Sequence, residues 1–196
     1  NNVRIENNTI KGGYWGIYWL GNSADTCSQL QIVNNHIIDY YPTGIYTSYT
    51  DSIFIIGNNF NHRIGASAHY GILITENKGG GIISKNRMAA NTSGTSYCLK
   101  IEDRNALSSN RLLISNNFFS ASGNPNGSVY GIELKNTNYV DVYHNSVYLN
   151  GGSSSDGRAF YQRGGSTQTI RIVNNTFYNE LGGYAYFIQK KNHIQE

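Results

Sequence analysis

Charge, sulfur and proline are all scarce in this chain of 196 residues. Charged side chains make up 14%, against roughly a quarter in an ordinary globular domain. Lys and Arg are scattered, with Lys190–Lys191 the one adjacent pair, and the net charge is +3. No basic stripe results, so no nucleic-acid partner is expected. Two prolines and the lack of a long polar tract leave no linker, so residues 1–196 read as one domain. No run of 18 apolar residues exists, which predicts no membrane span, and the opening residues are not expected to be a signal peptide. Metal and nucleotide motifs are missing as well: there is no HExxH, CxxC, GxSxG, P-loop or GxGxxG. No stretch carries an amphipathic helical stripe, which disfavours β-α solenoids.

What is present is Asn, Ser, Thr, Gly and 16 tyrosines, a polar but weakly charged surface suited to a secreted β-protein. Seven asparagines recur in one frame: Asn8, Asn35, Asn58, Asn86, Asn117, Asn145 and Asn175, at intervals of 27, 23, 28, 31, 28 and 30 residues. Each follows a short alternating apolar segment, as in VRIENNTI, LQIVNNHI, IFIIGNNF and IRIVNNTF. Self-similarity at this period means an array of supersecondary units. A second apolar column lies two residues past each Asn (Ile10, Ile37, Phe60, Met88, Phe119, Val147, Phe177). A third starts at a small–large pair: Gly16-Ile17, Gly44-Ile45, Gly71-Ile72, Cys98-Leu99, Gly131-Ile132, Ala159-Phe160 and Ala185-Tyr186. Each repeat thus offers three short strands with one apolar face, and such strands are stable only when stacked. The asparagine is expected at a left-handed bend, where it is tolerated better than other side chains, with its amide hydrogen-bonding from rung to rung.

These residues resemble the right-handed parallel β-helix of the pectate-lyase-like superfamily, over the whole chain. The resemblance implies an all-β solenoid of about seven rungs with three strands each, on a secreted or cell-surface protein that commonly engages polysaccharide along its long face. The start inside a repeat, at Asn1-Asn2-Val3, and the lack of a capping helix predict a piece of a larger protein with flanking domains or end-to-end contacts. Cys27 and Cys98 align to different rungs and are expected to be free.

Register places outward side chains of the third strand in columns: Tyr18, Tyr46, Leu73, Lys100, Glu133, Tyr161, Phe187, and beside it Leu20, Ser48, Thr75, Glu102, Lys135, Arg163, Gln189. Stacked rungs put Lys100 against Glu133 and Glu102 against Lys135, at about 4.8 Å per step. The functional reading is a carbohydrate-binding face in which Tyr46, Tyr161, Glu102 and Lys135 hold substrate, with Tyr faces meeting sugar rings. The alternative is a lyase, hydrolase or epimerase acting on acidic glycans through Lys100, Glu133 and Arg163. The same side chains also read as a surface ladder of opposite charges. The aspartate triads and calcium-binding carboxylate clusters of the superfamily's enzymes are not found. Glu76 and Asp103 align one rung apart and could hold Ca²⁺; no other cofactor is expected. Three loops, Ala89–Tyr97, Ser120–Val129 and Asn150–Arg158, occupy one slot and should form a crest beside the third strand.

Overall fold

A computed structural model describes residues 2–24, 27–63, 65–123, 127–152, 155–164, 168–180 and 182–189. The side chain of Cys27, the pair Lys190–Lys191 and parts of the two longer crest loops lie outside the described residues. The chain winds through seven rungs of three strands. The first holds β1 (Asn2–Glu6), β2 (Thr9–Lys11) and β3 (Trp15–Leu20); the second β4 (Cys27–Val33), β5 (His36–Ile38) and β6 (Thr43–Ser48). The third holds β7 (Thr50–Ile56), β8 (Asn59–Asn61) and β9 (Ala68–Thr75); the fourth β10 (Gly81–Ser84), β11 (Arg87–Thr92) and β12 (Thr95–Glu102). The fifth holds β13 (Leu112–Ser115), β14 (Phe118–Gly123) and β15 (Val129–Lys135); the sixth β16 (Asn138–Tyr143), β17 (Ser146–Leu149) and β18 (Arg158–Arg163). The seventh holds β19 (Gln168–Val173), β20 (Thr176–Asn179) and β21 (Tyr184–Gln189).

Like strands of successive rungs pair in parallel, so the first, second and third strands make three seven-stranded sheets. The repeat frame dictates this register: Leu30 pairs with Ile53, Met88 with Phe119, and Leu99 with Ile132. Inward positions become continuous apolar columns, and the middle rungs bury theirs completely, as at Ile32, Ile55, Ile83, Ile114 and Val142. The small residue opening the third strand now has a reason. A Cβ at Gly71 would lie 1.9 Å from Cε of Met88 and 2.6 Å from the carbonyl oxygen of Cys98, so the large side chain of the second sheet occupies that space. Gly16, Gly44 and Gly131 meet Ile37, Phe60 and Val147 in the same way.

The asparagine column divides its expected tasks between two residues. The left-handed position is the residue before it: Asn7, Asn34, Gly57, Lys85, Asn116, His144 and Asn174 have φ of 57°, 53°, 69°, 57°, 55°, 56° and 54°. The expectation that Asn8 through Asn175 themselves take that conformation is thereby corrected. Their amides instead run along the stack. Asn58 Nδ2 donates to Asn86 Oδ1 at 3.1 Å and to the Ile32 carbonyl at 2.8 Å. Asn58 Oδ1 accepts from the backbone and amide nitrogens of Asn35, at 2.9 and 3.0 Å. All four hydrogen-bonding sites of a buried amide are thus used. The same side-chain link joins Asn8 to Asn35, Asn86 to Asn117, Asn117 to Asn145 and Asn145 to Asn175.

Glu76 and Asp103 belong to a second bend, after the third strand. They share a left-handed column with Tyr49 and Asn136 (φ of 53°, 53°, 52° and 48°). Asp103 Oδ1 accepts from Asn136 Nδ2 at 2.8 Å. The crest loops follow the stack as well: Asn150 N donates to the Ala121 carbonyl and Gly152 N to that of Gly123.

Candidate functional site

The outer face of the third sheet collects the polar and aromatic side chains that the core columns do not use. Lys100 pairs with Glu133 and Glu133 with Tyr161; Glu102 pairs with Lys135 and Lys135 with Arg163. Within that register the ion pairs differ from simple vertical stacking. Lys100 Nζ lies 2.8 Å from Glu102 of its own strand and 4.0 Å from Glu133. Glu102 also takes Lys135, at 3.1 Å. Glu133 is fully buried and its Oε1 accepts from Arg163 Nε. Arg163, one rung and one column from Glu133 in the register, is its direct partner because its long side chain reaches back across both. Burial works to raise the Glu102 carboxyl, but hydrogen bonds from Lys100 and Lys135 outweigh it and hold it below its usual range. Burial works against the Arg163 charge, but the Glu133 carboxylate raises its pKa.

Behind these charges runs a second outward column that the sequence reading did not single out: Tyr70, Tyr97, Tyr130, Arg158 and Tyr184 in register. The Tyr70, Tyr97 and Tyr130 rings stack at centroid distances of 5.1 and 4.6 Å. Arg158 continues the stack by lying 4.7 Å from the Tyr161 centroid and 5.6 Å from that of Tyr130. Lys100 Nζ sits 4.9 Å from the Tyr97 centroid. The signal was present: the residue just before the small–large pair is aromatic at Trp15, Tyr70, Tyr97, Tyr130 and Tyr184.

The two tyrosines singled out from sequence have different fates. Tyr161 is buried, its ring enclosed by Tyr130, Phe187, Arg158 and Arg163 and its hydroxyl donating to Gln189 Oε1 at 2.7 Å. It offers no open face, which corrects the expectation that it meets a sugar ring. Burial raises its pKa against the opposing pull of Arg163 and Arg158. Tyr46 is half-buried and backs the exposed ring of Tyr18 at 5.1 Å. Tyr14 and Trp15 join Tyr18 in an exposed aromatic group on the first rung. A small pocket lined by Lys135, Asn136, Arg163, Gly164 and Gln189 closes the end of this face toward the seventh rung.

A separate polar group lies inside the stack. His69 is fully buried, with Nε2 2.9 Å from the Tyr40 hydroxyl and Nδ1 3.0 Å from Ser96 Oγ. His62, 5% exposed, meets it at a ring-centroid distance of 4.4 Å, beside the Asn91 backbone. Burial lowers the His62 pKa to about 4, helped by Arg63, and lowers that of His69 well below its ordinary value. Cys98 is a free, buried thiol whose pKa burial pushes up to about 12.

The chain matches the family described as "Periplasmic copper-binding protein (NosD)" over residues 1–185 and belongs to it. That family is a right-handed parallel β-helix of the pectate-lyase-like fold, and its periplasmic description places it outside the cytoplasm. No curated protein and no solved structure matches the chain. Copper is tested against the residues present. Among the described residues no three His, Cys, Asp or Glu side chains converge on a point, so a conventional three- or four-ligand chelate does not fit. The imidazole pair of His62 and His69 does not complete one, because Tyr40 and Ser96 take both ring nitrogens of His69.

Proposed function

We propose that this NosD-family chain is a non-catalytic extracytoplasmic β-helix that holds an extended glycan along the outer face of its third sheet. The observation that carries the reading is the pair of adjacent outward columns, Tyr70–Tyr97–Tyr130 and Tyr18–Tyr46, running along the stack. Because the rings stack on one another, the middle rungs present ring edges and hydroxyls at rung spacing, while Trp15 and Tyr18 present exposed aromatic surface. The charges on the face are satisfied among themselves, Lys100 and Lys135 by Glu102 and Arg163 by Glu133. Such a surface suits a neutral or weakly charged chain of sugars, bound by hydrogen bonds and apolar contact. Proton abstraction is disfavoured: Lys100 is enclosed by two carboxylates and a ring, and the buried Tyr161 hydroxyl is committed to a hydrogen bond with Gln189 Oε1.

One observation favours the enzyme reading. Glu133 Oε2 is buried, accepts no hydrogen bond and meets Lys100 Nζ only at 4.0 Å, which leaves a lone pair for a proton. Affinity electrophoresis in gels containing neutral or uronate polysaccharides tests both readings, together with absorbance of unsaturated products with and without Ca²⁺. The expected result is retardation by a neutral glycan, lost in the Tyr97→Ala/Tyr130→Ala double variant, with no absorbance change. Product formation abolished by Lys100→Ala or Glu133→Gln would establish the enzyme instead.

A further inference from the structure

The first sheet carries apolar side chains on the face that points away from the core. In rungs three to five one outward column reads Phe54, Ile82 and Leu113, each half-buried. Two residues along, the neighbouring column reads Val33, Ile56, Ser84 and Ser115 over rungs two to five. The matching outward positions of the second sheet are mostly polar, as at Asn59, Asn61, Arg87 and Ser120. A parallel sheet that is apolar on both faces is normally covered on both. Charge frames this band. Arg4 and Glu6 pair at 2.6 Å on the first rung, and Asp141 on the sixth holds Arg111 and the Tyr143 hydroxyl. An apolar centre inside a polar rim is the anatomy of a protein interface. A groove of about 290 Å³ between Arg4, Gln31, Val33, Phe54 and Ile56 makes one end of the band concave.

We propose that this face docks a second copy of the chain, about a two-fold axis that runs along the stack between the two columns. Such an axis keeps each rung opposite itself and exchanges the columns, so the contact is isologous. The levels that carry charge or large apolar side chains then complement each other. On the first rung Arg4 meets the partner's Glu6, and Glu6 meets the partner's Arg4. On the third, Phe54 meets the partner's Ile56. On the fourth and fifth, Ile82 meets the partner's Ser84 and Leu113 the partner's Ser115, large against small. On the sixth, Asp141 meets the partner's Tyr143, repeating between copies the hydrogen bond it accepts within the chain at 3.1 Å. An axis along the strands instead would set Arg4 against the partner's Arg171, two like charges. Charge therefore selects the axis along the stack. Rungs stacked at about 4.8 Å, with about five residues per strand at about 3.3 Å, make a face of roughly 29 by 17 Å. Two copies together then bury about 1,000 Å², the lower end of specific interfaces, which suits a reversible dimer. The glycan face, on the third sheet, stays outside the contact in both copies.

The test is sedimentation velocity of the whole chain from micromolar to submillimolar concentration. The expected result is a 21.8 kDa monomer in reversible equilibrium with a species of twice that mass. Ile82→Asp puts a charge at the centre of the contact and should weaken the dimer at least about tenfold. Arg4→Glu and Glu6→Arg each set like charges across the axis, so each variant alone should associate several-fold more weakly. A one-to-one mixture of the two should recover the dimer, because opposite charges then face each other between copies. Mixing repairs no pair within a chain, so recovery reads the contact itself. Leu107→Ser, at an exposed position away from this face, should associate as the parent does. Unchanged far-ultraviolet spectra and thermal midpoints check that the variants fold; if Ile82→Asp does not, the two charge variants and their mixture decide. A parent chain that stays monomeric throughout, a dimer unchanged in a folded Ile82→Asp, tighter association in Arg4→Glu, a mixture that stays monomeric, or a dimer lost in Leu107→Ser would each overturn the proposal.

Discussion

At the scale of single residues, the stack is held by amides placed where no water reaches them. Asn86 is 1% exposed, and its Oδ1 accepts from both the backbone and side chain of Asn58 while its Nδ2 serves the Ile55 carbonyl and Asn117. Asn86→Ala leaves at least three buried groups unpaired, at roughly 1–3 kcal/mol each before relaxation. The expected loss is about 3–5 kcal/mol, read as a fall in the urea midpoint. Asn8→Ala, at an exposed position of the first rung, should cost less than about 1 kcal/mol. Equal effects at both positions would show that the ladder contributes by conformation rather than by satisfied hydrogen bonds.

At the scale of elements, the corner between the third and first sheets lacks an asparagine ladder and uses Arg104 instead. Its guanidinium, 1% exposed, donates to Asn77 Oδ1 and to the carbonyls of Gly79, Asn110 and Asn138. These acceptors come from the turns before β10 and β13 and from the first residue of β16, so one side chain joins three successive rungs. Among the described residues no carboxylate pairs with it, and burial lowers the Arg104 pKa to about 10, with Arg111 adding to the shift. A planar fork with five donors suits four acceptors around it, and an ammonium does not. Arg104→Lys should therefore destabilise the chain by about 2 kcal/mol or more in thermal or urea unfolding. A cost below about 0.5 kcal/mol would mean that charge, not the fork, matters there.

At the scale of the whole molecule, each strand pairs only with those of the neighbouring rungs, so stability is close to a sum of nearest-neighbour terms. The middle rungs bury their columns fully, while Val3 and Ile5 are half-buried and Tyr186 and Ile188 exposed. Amide hydrogen exchange on the 196-residue chain should show slowest exchange in β7 through β15 and a gradient toward β1 and β21. Uniform protection along the stack would instead indicate one all-or-none unit.

Much of this architecture is determined by the sequence alone. The asparagine interval, the period-two segments and the small–large pair fix three strands per rung, their register and which side chains face out. The reason is that a parallel stack repeats one local rule, and local rules are written in spacing. The vertical neighbours Lys100–Glu133 and Glu102–Lys135 were legible for the same reason. Only the tertiary structure decided what those side chains do. Long side chains cross columns, so Arg163 rather than Lys100 takes Glu133 most closely, and Arg158 and Arg163 close over Tyr161. The inward turn of His62 and His69 was hidden too. A histidine at a loop edge looks alike from sequence whether it faces solvent or core, and its direction is set by Tyr40 and Ser96, which lie one rung away on either side.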